Sequence, residues 1–441
     1  MALQDYKCPC CGGSIEFNSN VGKMKCPFCD SEFEMDALKE LDQALENDIE
    51  EKMNWDMSAG DEFSEAEAGN LAAYKCSSCA AEIITDKNTG ASSCPYCGNA
   101  IVVMGNFSGA LKPDLIIPFK YDKKAAKEAL TKHFEGKKLL PAAFKNSNHI
   151  DEIQGVYAPF WLYDTEAQAS ITYKAVKERT YSDNDYMYNE KKYYSAVRRG
   201  KLAFDNVPVD GSKKLDDALM DSIEPYNFDE GVDFQTAYLA GYLADKYDVS
   251  VEECAERANK RIKASTEQTF MSTVKGYTTV NTESSNINFT NGRTRYAMLP
   301  MWILNTSWNN QNFVFCMNGQ TGKMVGNLPC DKSKFWRNFF LVLAIAAVAT
   351  AGIASLISSA GFTGGKVIAG LVVGLIISGI YSLILKGELK SVALKSEATN
   401  YIKKDSLKFS MNQDFYVYTK IDRTARPKPQ QQAAQNQAGR N

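Results

Sequence analysis

A grid of four cysteines occurs twice in this chain, Cys8-x-x-Cys11 with Cys26-x-x-Cys29 and Cys76-x-x-Cys79 with Cys94-x-x-Cys97, each with 14 residues between its two pairs. Tetrahedral Zn2+ draws four thiolates to about 2.3 Å, and two Cys-x-x-Cys turns at the tips of short hairpins supply them when the ribbon between is about this long. The flanks repeat as well. Tyr6-Lys7-Cys8 returns as Tyr74-Lys75-Cys76, and Cys26-Pro27-Phe28-Cys29 as Cys94-Pro95-Tyr96-Cys97, both displaced by 68 residues. Such self-similarity marks an internal duplication. Two four-thiolate ribbons are therefore expected, at residues 1–33 and 71–104, each with one structural Zn2+. Gly12 and Gly98 follow the second cysteine of their knuckles, where a positive φ turns backbone amides toward sulfur. Asp30 and Ala80 take that place in the other two, which predicts less regular turns there. Cys10 stands beside Cys11; matching to the second ribbon, where Ser78 fills the equivalent place, favours Cys8 and Cys11 as ligands.

Other uses of these thiols fit less well. Disulfides belong to oxidising compartments, and no signal-peptide pattern precedes Cys8. A catalytic zinc keeps an open position, which four thiolates do not leave. Each ribbon is too small to bury a core, so metal should supply much of its folding free energy. Cys254, Cys316 and Cys330 lie apart in apolar or helical settings and read as buried free thiols.

Residues 34–70 read as an acidic helix and linker. Leu38, Leu41 and Leu45 are spaced for a short helix, while Asp56 to Gly69 reads as flexible acidic chain. A net charge of -3 gives no global attraction to nucleic acid, and the ribbons offer few bases: Lys7, Lys23, Lys25, Lys75 and Lys87. Nucleic acid is thus a disfavoured partner.

Near the C-terminus, Asn338 to Gly365 is free of charge, and after Lys366 a second uncharged stretch runs from Val367 to Leu385. Its 19 residues span roughly 28 Å as a helix, close to the hydrocarbon thickness of a bilayer. A membrane-spanning helical hairpin is expected over residues 337–385. Lys332, Lys334 and Arg337 precede it and Lys386 and Lys390 follow, against Lys366 alone at the turn, so both flanks and both termini should face the cytoplasm. Gly370-x-x-x-Gly374 would let the spans pack closely, with Trp336 and Tyr381 as interfacial anchors. Neither span holds a charged residue, so the hairpin reads as an anchor and the bilayer as its partner.

Residues 111–331 are expected to form a cytoplasmic α+β, strand-rich domain. Leu115 to Phe119 reads as a strand, Asp122 to Phe134 as a helix, and Gly155 to Tyr163 as the start of extended chain reaching Tyr173. A near echo at Arg295 to Leu304 suggests two related strand-rich units packed on each other. Between them Lys213 to Ser222 and Phe234 to Glu267 read as helical, the second broken near Asp248 to Val251, with Ser250 capping the turn before Glu253. Gly319 to Lys323 fails the phosphate-loop spacing and reads as a hairpin turn. His133 and His149 have no acid or nucleophile partner at motif spacing, so both read as surface residues and no catalytic or cofactor-binding residue is assigned. The aromatics Tyr157, Phe160, Trp161, Tyr163, Trp302 and Trp308 read as core. Residues 386–424 form a tail whose strand, Asp414 to Ile421, would return to the domain; 425–441 has a disordered composition.

With the two ribbons, the Tyr157-Ala-Pro-Phe-Trp161 strand and the Leu328-Pro-Cys-Asp-Lys332 segment before an apolar hairpin, the chain resembles bacterial membrane proteins known as TFIIB-type zinc-ribbon-containing, sometimes mislabelled PriA-like helicases. The likeness reaches to about Ile421, maps onto the eight cysteines, and departs at Cys10. It implies a membrane-associated protein encoded near SPFH-domain and phage-shock-like proteins and anchoring such partners in envelope stress. No helicase nucleotide-binding motif is present. The functional expectation is a cytoplasm-facing zinc-ribbon scaffold that recruits protein partners. Nucleic-acid tethering and an enzyme or transport accessory using a cleft are the alternatives, and oligomeric state is left open.

Overall fold

The computed structural model describes residues 7–8, 13–36, 38–39, 50–89, 93–99, 101–106, 111–145, 152–357 and 364–426. Cys10, Cys11, Gly12, Leu41, Leu45, His149 and the segment 427–441 lie outside the described residues.

In the first ribbon β1 (Glu16–Asn18), β2 (Lys23–Lys25) and β3 (Glu32–Phe33) make a sheet of their own. The chain then forms β4 (Met53–Asp56), β5 (Asp61–Glu62) and the one-turn helix α1 (Glu65–Ala68). The second ribbon follows with β6 (Leu71–Cys76), β7 (Glu82–Asp86) and β8 (Ile101–Asn106). After β9 (Leu111–Lys112) and β10 (Leu115–Ile116) comes α2 (Lys123–Phe134), capped by Asp122, whose carboxylate accepts from Ala125 N–H. Two very long strands, β11 (Gln154–Ser182) and β12 (Tyr186–Asp210), precede α3 (Asp217–Ile223), β13 (Val232–Asp233) and β14 (Leu243–Asp245). Next are α4 (Val251–Met271), the third long strand β15 (Thr279–Trp308), β16 (Gln311–Asn318) and β17 (Met324–Val325). Two apolar helices, α5 (Lys332–Ile357) and α6 (Gly364–Gly387), and a final strand β18 (Lys408–Ala425) complete the order.

The frame is the antiparallel series β15-β11-β12-β18. At about 3.3 Å per residue the 29 residues of β11 trace a path of roughly 95 Å, and register shifts such as the one at Tyr163/Thr165 let so long a strand twist. On one face Ala167, Ala169, Ile171, Tyr173 and Ala175 are buried, and against them lies the small-residue side of α4, with Ala255, Ala258, Ile262 and Phe270 in the same core. Ser250 and Glu253 form the expected capping box that starts α4.

Several expectations are corrected. Residues 234–250 form no α-helix: a short 3-10 turn at Thr236–Leu239 is followed by β14, which lies between β11 and β7, buried throughout. Only Asp217–Ile223 of the expected helix from Lys213 forms, and Leu115 to Phe119 shortens to two strand residues. The acidic linker is not free. β4 pairs in parallel with β15, Trp55 Nε1 donates to Asn259 Oδ1 at 2.8 Å, and Thr294 Oγ1 donates to Asp56 O at 2.7 Å. Gly292 permits this approach, since a Cβ there would overlap Asn54 O. The second ribbon is not a separate module either, because β7 pairs with β14 and so joins the thirteen-stranded main sheet. The two echo segments lie side by side in one sheet, with Tyr157 opposite Pro300 and Ala158 opposite Leu299. His133 is half-buried, with Nε2 3.1 Å from Gly326 O, and Cys330 is only partly buried. Tyr157, Phe160, Trp161, Tyr163 and Trp302 are core, and Gly319 to Lys323 turns between β16 and β17.

The apolar helices pack on each other along Gly370, Gly374, Ser378 and Ser382, all buried and four residues apart. At Gly370 a Cβ would stand 2.8 Å from Ala347 O, so the glycine sets the approach. Their outward faces, including Ile345, Val348, Leu356, Ile368 and Leu383, are exposed. Both helices are long and apolar enough to cross a membrane. Leu328 N–H donates to Leu389 O at 2.8 Å, and Lys334 Nζ donates to Leu140 O, so the two ends of the pair leave the domain side by side.

Candidate metal centres

Each described knuckle is closed by its own backbone. The first cysteine's N–H donates to the carbonyl five residues on: Cys8 to Gly13 (2.7 Å), Cys26 to Ser31 (3.0 Å), Cys76 to Ala81 (2.9 Å) and Cys94 to Asn99 (2.7 Å). The residue after the second cysteine returns a bond to the first cysteine's carbonyl, from Asp30, Ala80 and Gly98. All three adopt left-handed backbone, at φ 56, 57 and 73°. The expectation of irregular turns at Asp30 and Ala80 is thus overturned: the ring of hydrogen bonds enforces one geometry, and the side chains there carry a strain of roughly 1 kcal/mol.

These turns gather the sulfurs. Cys76, Cys79, Cys94 and Cys97 form one cluster and Cys8, Cys26 and Cys29 another, with all ligand atoms of each within 4.8 Å of one another. Sγ–Sγ distances are 3.5 Å for Cys8–Cys29, 3.5 Å for Cys76–Cys97 and 3.6 Å for Cys79–Cys94. Four sulfurs about 2.3 Å from a tetrahedral zinc stand roughly 3.8 Å apart, so both clusters could hold zinc with little movement. The fourth expected ligand of the first cluster, Cys11, lies outside the described residues. In each described knuckle the first cysteine is buried, while Cys29, Cys79 and Cys97 are nearer the surface.

Burial works against charge on these sulfurs. At Cys29 the neighbouring Ser31 outweighs it, bringing the thiol down to about 6, and at Cys76 the amides of Cys79 and Ser78 bring it down to about 7. At Cys79 and Cys94 burial prevails and pushes the thiol up. A bound dication would favour the thiolate at all of them.

One functional link had no sequence signal. Tyr96, inside the last knuckle, reaches Asp245 on β14, which also accepts from Ser212 Oγ at 2.7 Å. Burial pushes the Asp245 carboxyl up to about 7, and its Oδ1 has no hydrogen-bond partner. Asn305 Nδ2 donates to Tyr96 O, fastening the knuckle to β15. Away from the thiols, a cavity of about 500 Å³ lies beside α4 and is lined by Asp210, Asp217, Asp221, Cys254, Arg257 and Arg261 among others. Here Arg257 binds Asp210 at 2.6 Å, Asp217 at 2.8 Å and Asp221 at 2.5 Å, and Arg261 binds Glu224 at 2.6 Å.

Fold and clusters together define a multidomain protein with two cysteine clusters that could hold a metal, a strand-rich sheet domain and an apolar helix pair. The chain belongs to the same family as the uncharacterized protein YdjG of Bacillus subtilis (strain 168), with which it is 34% identical over 357 residues, covering 81% of this chain and 99% of that protein. No family model matches the chain. No solved structure matches it.

Proposed function

We propose that this chain is a membrane-anchored scaffold whose two ribbons each carry a structural zinc, the first completed by Cys11, and that it recruits protein partners on the cytoplasmic side. In this reading α5 and α6 cross the bilayer and both termini stay in the cytoplasm, in keeping with the cations that flank the pair. The partners are SPFH-type or envelope-stress proteins, as the family resemblance implies, and the repeated grid and the paired strand echo are products of duplication.

One observation carries the reading. The apolar helices join the domain around Trp302, Leu385 and Leu389, where Trp302 pairs with Gly155, while the first ribbon docks on Val417 and Tyr418, in register with Tyr193 and Val176. From Gly155 to Val176 the strand path is roughly 70 Å, so a small closed module is held out on a stiff arm far from its anchor. Such an arm serves presentation rather than chemistry. In the charged cavity each arginine already has carboxylate partners, and His133 stands apart from it, half-buried against Phe134 and Phe315, which disfavours a cleft enzyme. Lys23 and Lys25 are taken by Glu34 and Asp30, which disfavours a nucleic-acid face on the first ribbon.

The test compares affinity purification of the full chain and its Cys26→Ser, Cys29→Ser variant from mildly solubilised membranes. A reproducible partner lost with the variant is expected. An unchanged partner set, or release of the chain from membranes by carbonate alone, would overturn the reading.

A further inference from the structure

Beyond the last turn of α4 the long sheet runs on without a cover. β15 stops pairing with β11 at Val176, so from Lys177 outward β11, β12 and β18 continue as a three-stranded blade. Farther in, this face is apolar and meets α4, where Tyr173 OH approaches the Glu267 carbonyl at 3.5 Å. On the blade the same face changes chemistry. Tyr181, Tyr188 and Arg423 stand opposite one another across the three strands, followed inward by Arg179, Glu190 and Ile421 and then by Lys177, Lys192 and Thr419.

Rings and cations interlock there. Tyr181 and Tyr188 stack at 5.2 Å, the Arg179 guanidinium lies 5.7 Å over Tyr181, Arg423 lies 5.3 Å over Tyr186, and Lys177 lies 5.1 Å over Tyr194. Four cations, Lys177, Arg179, Lys192 and Arg423, share these rows with the carboxylate of Glu190, 3.4 Å from Lys192. Asp183 in the turn is taken up by Tyr188 OH and two backbone amides, and Asp414, farther in, by Arg198 and Tyr277. Lys177 directly faces Lys192, a like-charge pair that weakens a strand ladder. The reverse face has a like-charge pair as well, Lys191 opposite Lys420, but there each ammonium meets a carboxylate, Lys191 with Glu178 at 3.2 Å and Lys420 with Asp422 at 3.5 Å, whereas Lys177 lies over the Tyr194 and Tyr277 rings.

We propose that this face of the blade docks an acidic segment of a partner protein, an inference that rests on the scaffold reading. Several ring faces are already occupied by guanidinium groups or neighbouring rings, which leaves little free π-surface for stacking bases. What remains open to a partner are the guanidinium edges of Arg179 and Arg423 and the Lys177 ammonium. Arginine forks held flat over tyrosines bind carboxylates in pairs with little ordering cost, and Tyr and Arg are the side chains that dominate protein interfaces.

The test uses the full chain in detergent micelles and fluorescence anisotropy at low ionic strength. A labelled oligoglutamate peptide is compared with oligouridylate of equal charge and with phosphatidylglycerol vesicles. Oligoglutamate should bind best, weaken with salt, and lose about tenfold or more in affinity with Arg179→Glu, Arg423→Glu, while Lys191→Glu on the reverse face changes it less than about twofold. Absence of binding, equal loss with Lys191→Glu, or tighter binding of oligouridylate or vesicles would overturn the proposal. Co-purification separates the two readings. A partner kept by Arg179→Glu, Arg423→Glu but lost by Cys26→Ser, Cys29→Ser sinks this inference and leaves the scaffold standing; a partner kept by both variants sinks both.

Discussion

In the first ribbon Glu16–Asn18 closes on Lys23–Lys25 of the same module, whereas the counterpart 68 residues on, within Glu82–Asp86, pairs with Leu243–Asp245 of the main sheet. Their knuckle aromatics diverge in the same sense: Phe28 is 75% exposed, and Tyr96, at 8%, is tied to Asp245. The knuckles themselves hardly differ. A thiol site closed by its own short hydrogen bonds can be carried into any surroundings, while the strand edge beside it can be completed by the module or by the host. The second ribbon is part of the domain's core and the first is an accessible module, touching the body through contacts such as Phe33 on Tyr418 at 5.9 Å.

The largest contrast should come from metal loss. On the proposed zinc-loaded reading, Cys76→Ser is expected to unfold the main sheet together with the second ribbon, because metal-linked free energy of roughly 10 kcal/mol would support strands shared with β14. Cys29→Ser should reduce bound zinc from two ions to one and leave the main thermal transition in place. Metal content by mass spectrometry and near-UV circular dichroism read both, and equal damage from the two variants would break the comparison.

Next in size is a pH effect confined to the second ribbon's side. Asp245 is pushed up to about 7 by burial, so between its unfolded value near 4 and about 7 the folded state binds the extra proton and stability falls as pH rises. Asp245→Asn should flatten this slope, gaining about 2 kcal/mol at pH 8 relative to pH 5.5. Asp210, also pushed up to about 7 by burial, keeps its own share. Denaturation of wild type and variant across that range decides it; parallel curves would count against the assignment.

Smaller effects test whether the knuckle turns are equivalent. Ala80→Gly relieves a left-handed alanine and should stabilise by about 0.5–1 kcal/mol. Asp30→Gly should gain less, because it also removes the exposed 3.2 Å pair with Lys25. Zinc competition titrations would resolve the order, and a larger gain at Asp30 would contradict it.

Much of this could be read before any tertiary information. The cysteine grid, the apolar helix pair, the helix beginning near Asp122 and the Ser250–Glu253 capping box are local patterns, and, Cys11 apart, each is present among the described residues. The misreadings share a cause. β4, β10, β13 and β14 are two to four residues long, too short for any alternation to show, and they are strands because distant chain supplies their partners: Met53 meets Phe289, and Ala244 meets both Ile84 and Tyr157.

Short-range spacing therefore determined which thiols gather, which helices are apolar and where several helices begin, since those depend on backbone geometry within a few residues. Tertiary structure decided which ribbon joins the main sheet and which keeps a sheet of its own, that an acidic stretch is woven beside β15, and that tyrosines and cations from three strands meet on one bare face. Those outcomes depend on hydrogen-bonding edges brought together from far apart in the chain, and no local pattern encodes which edge will find which.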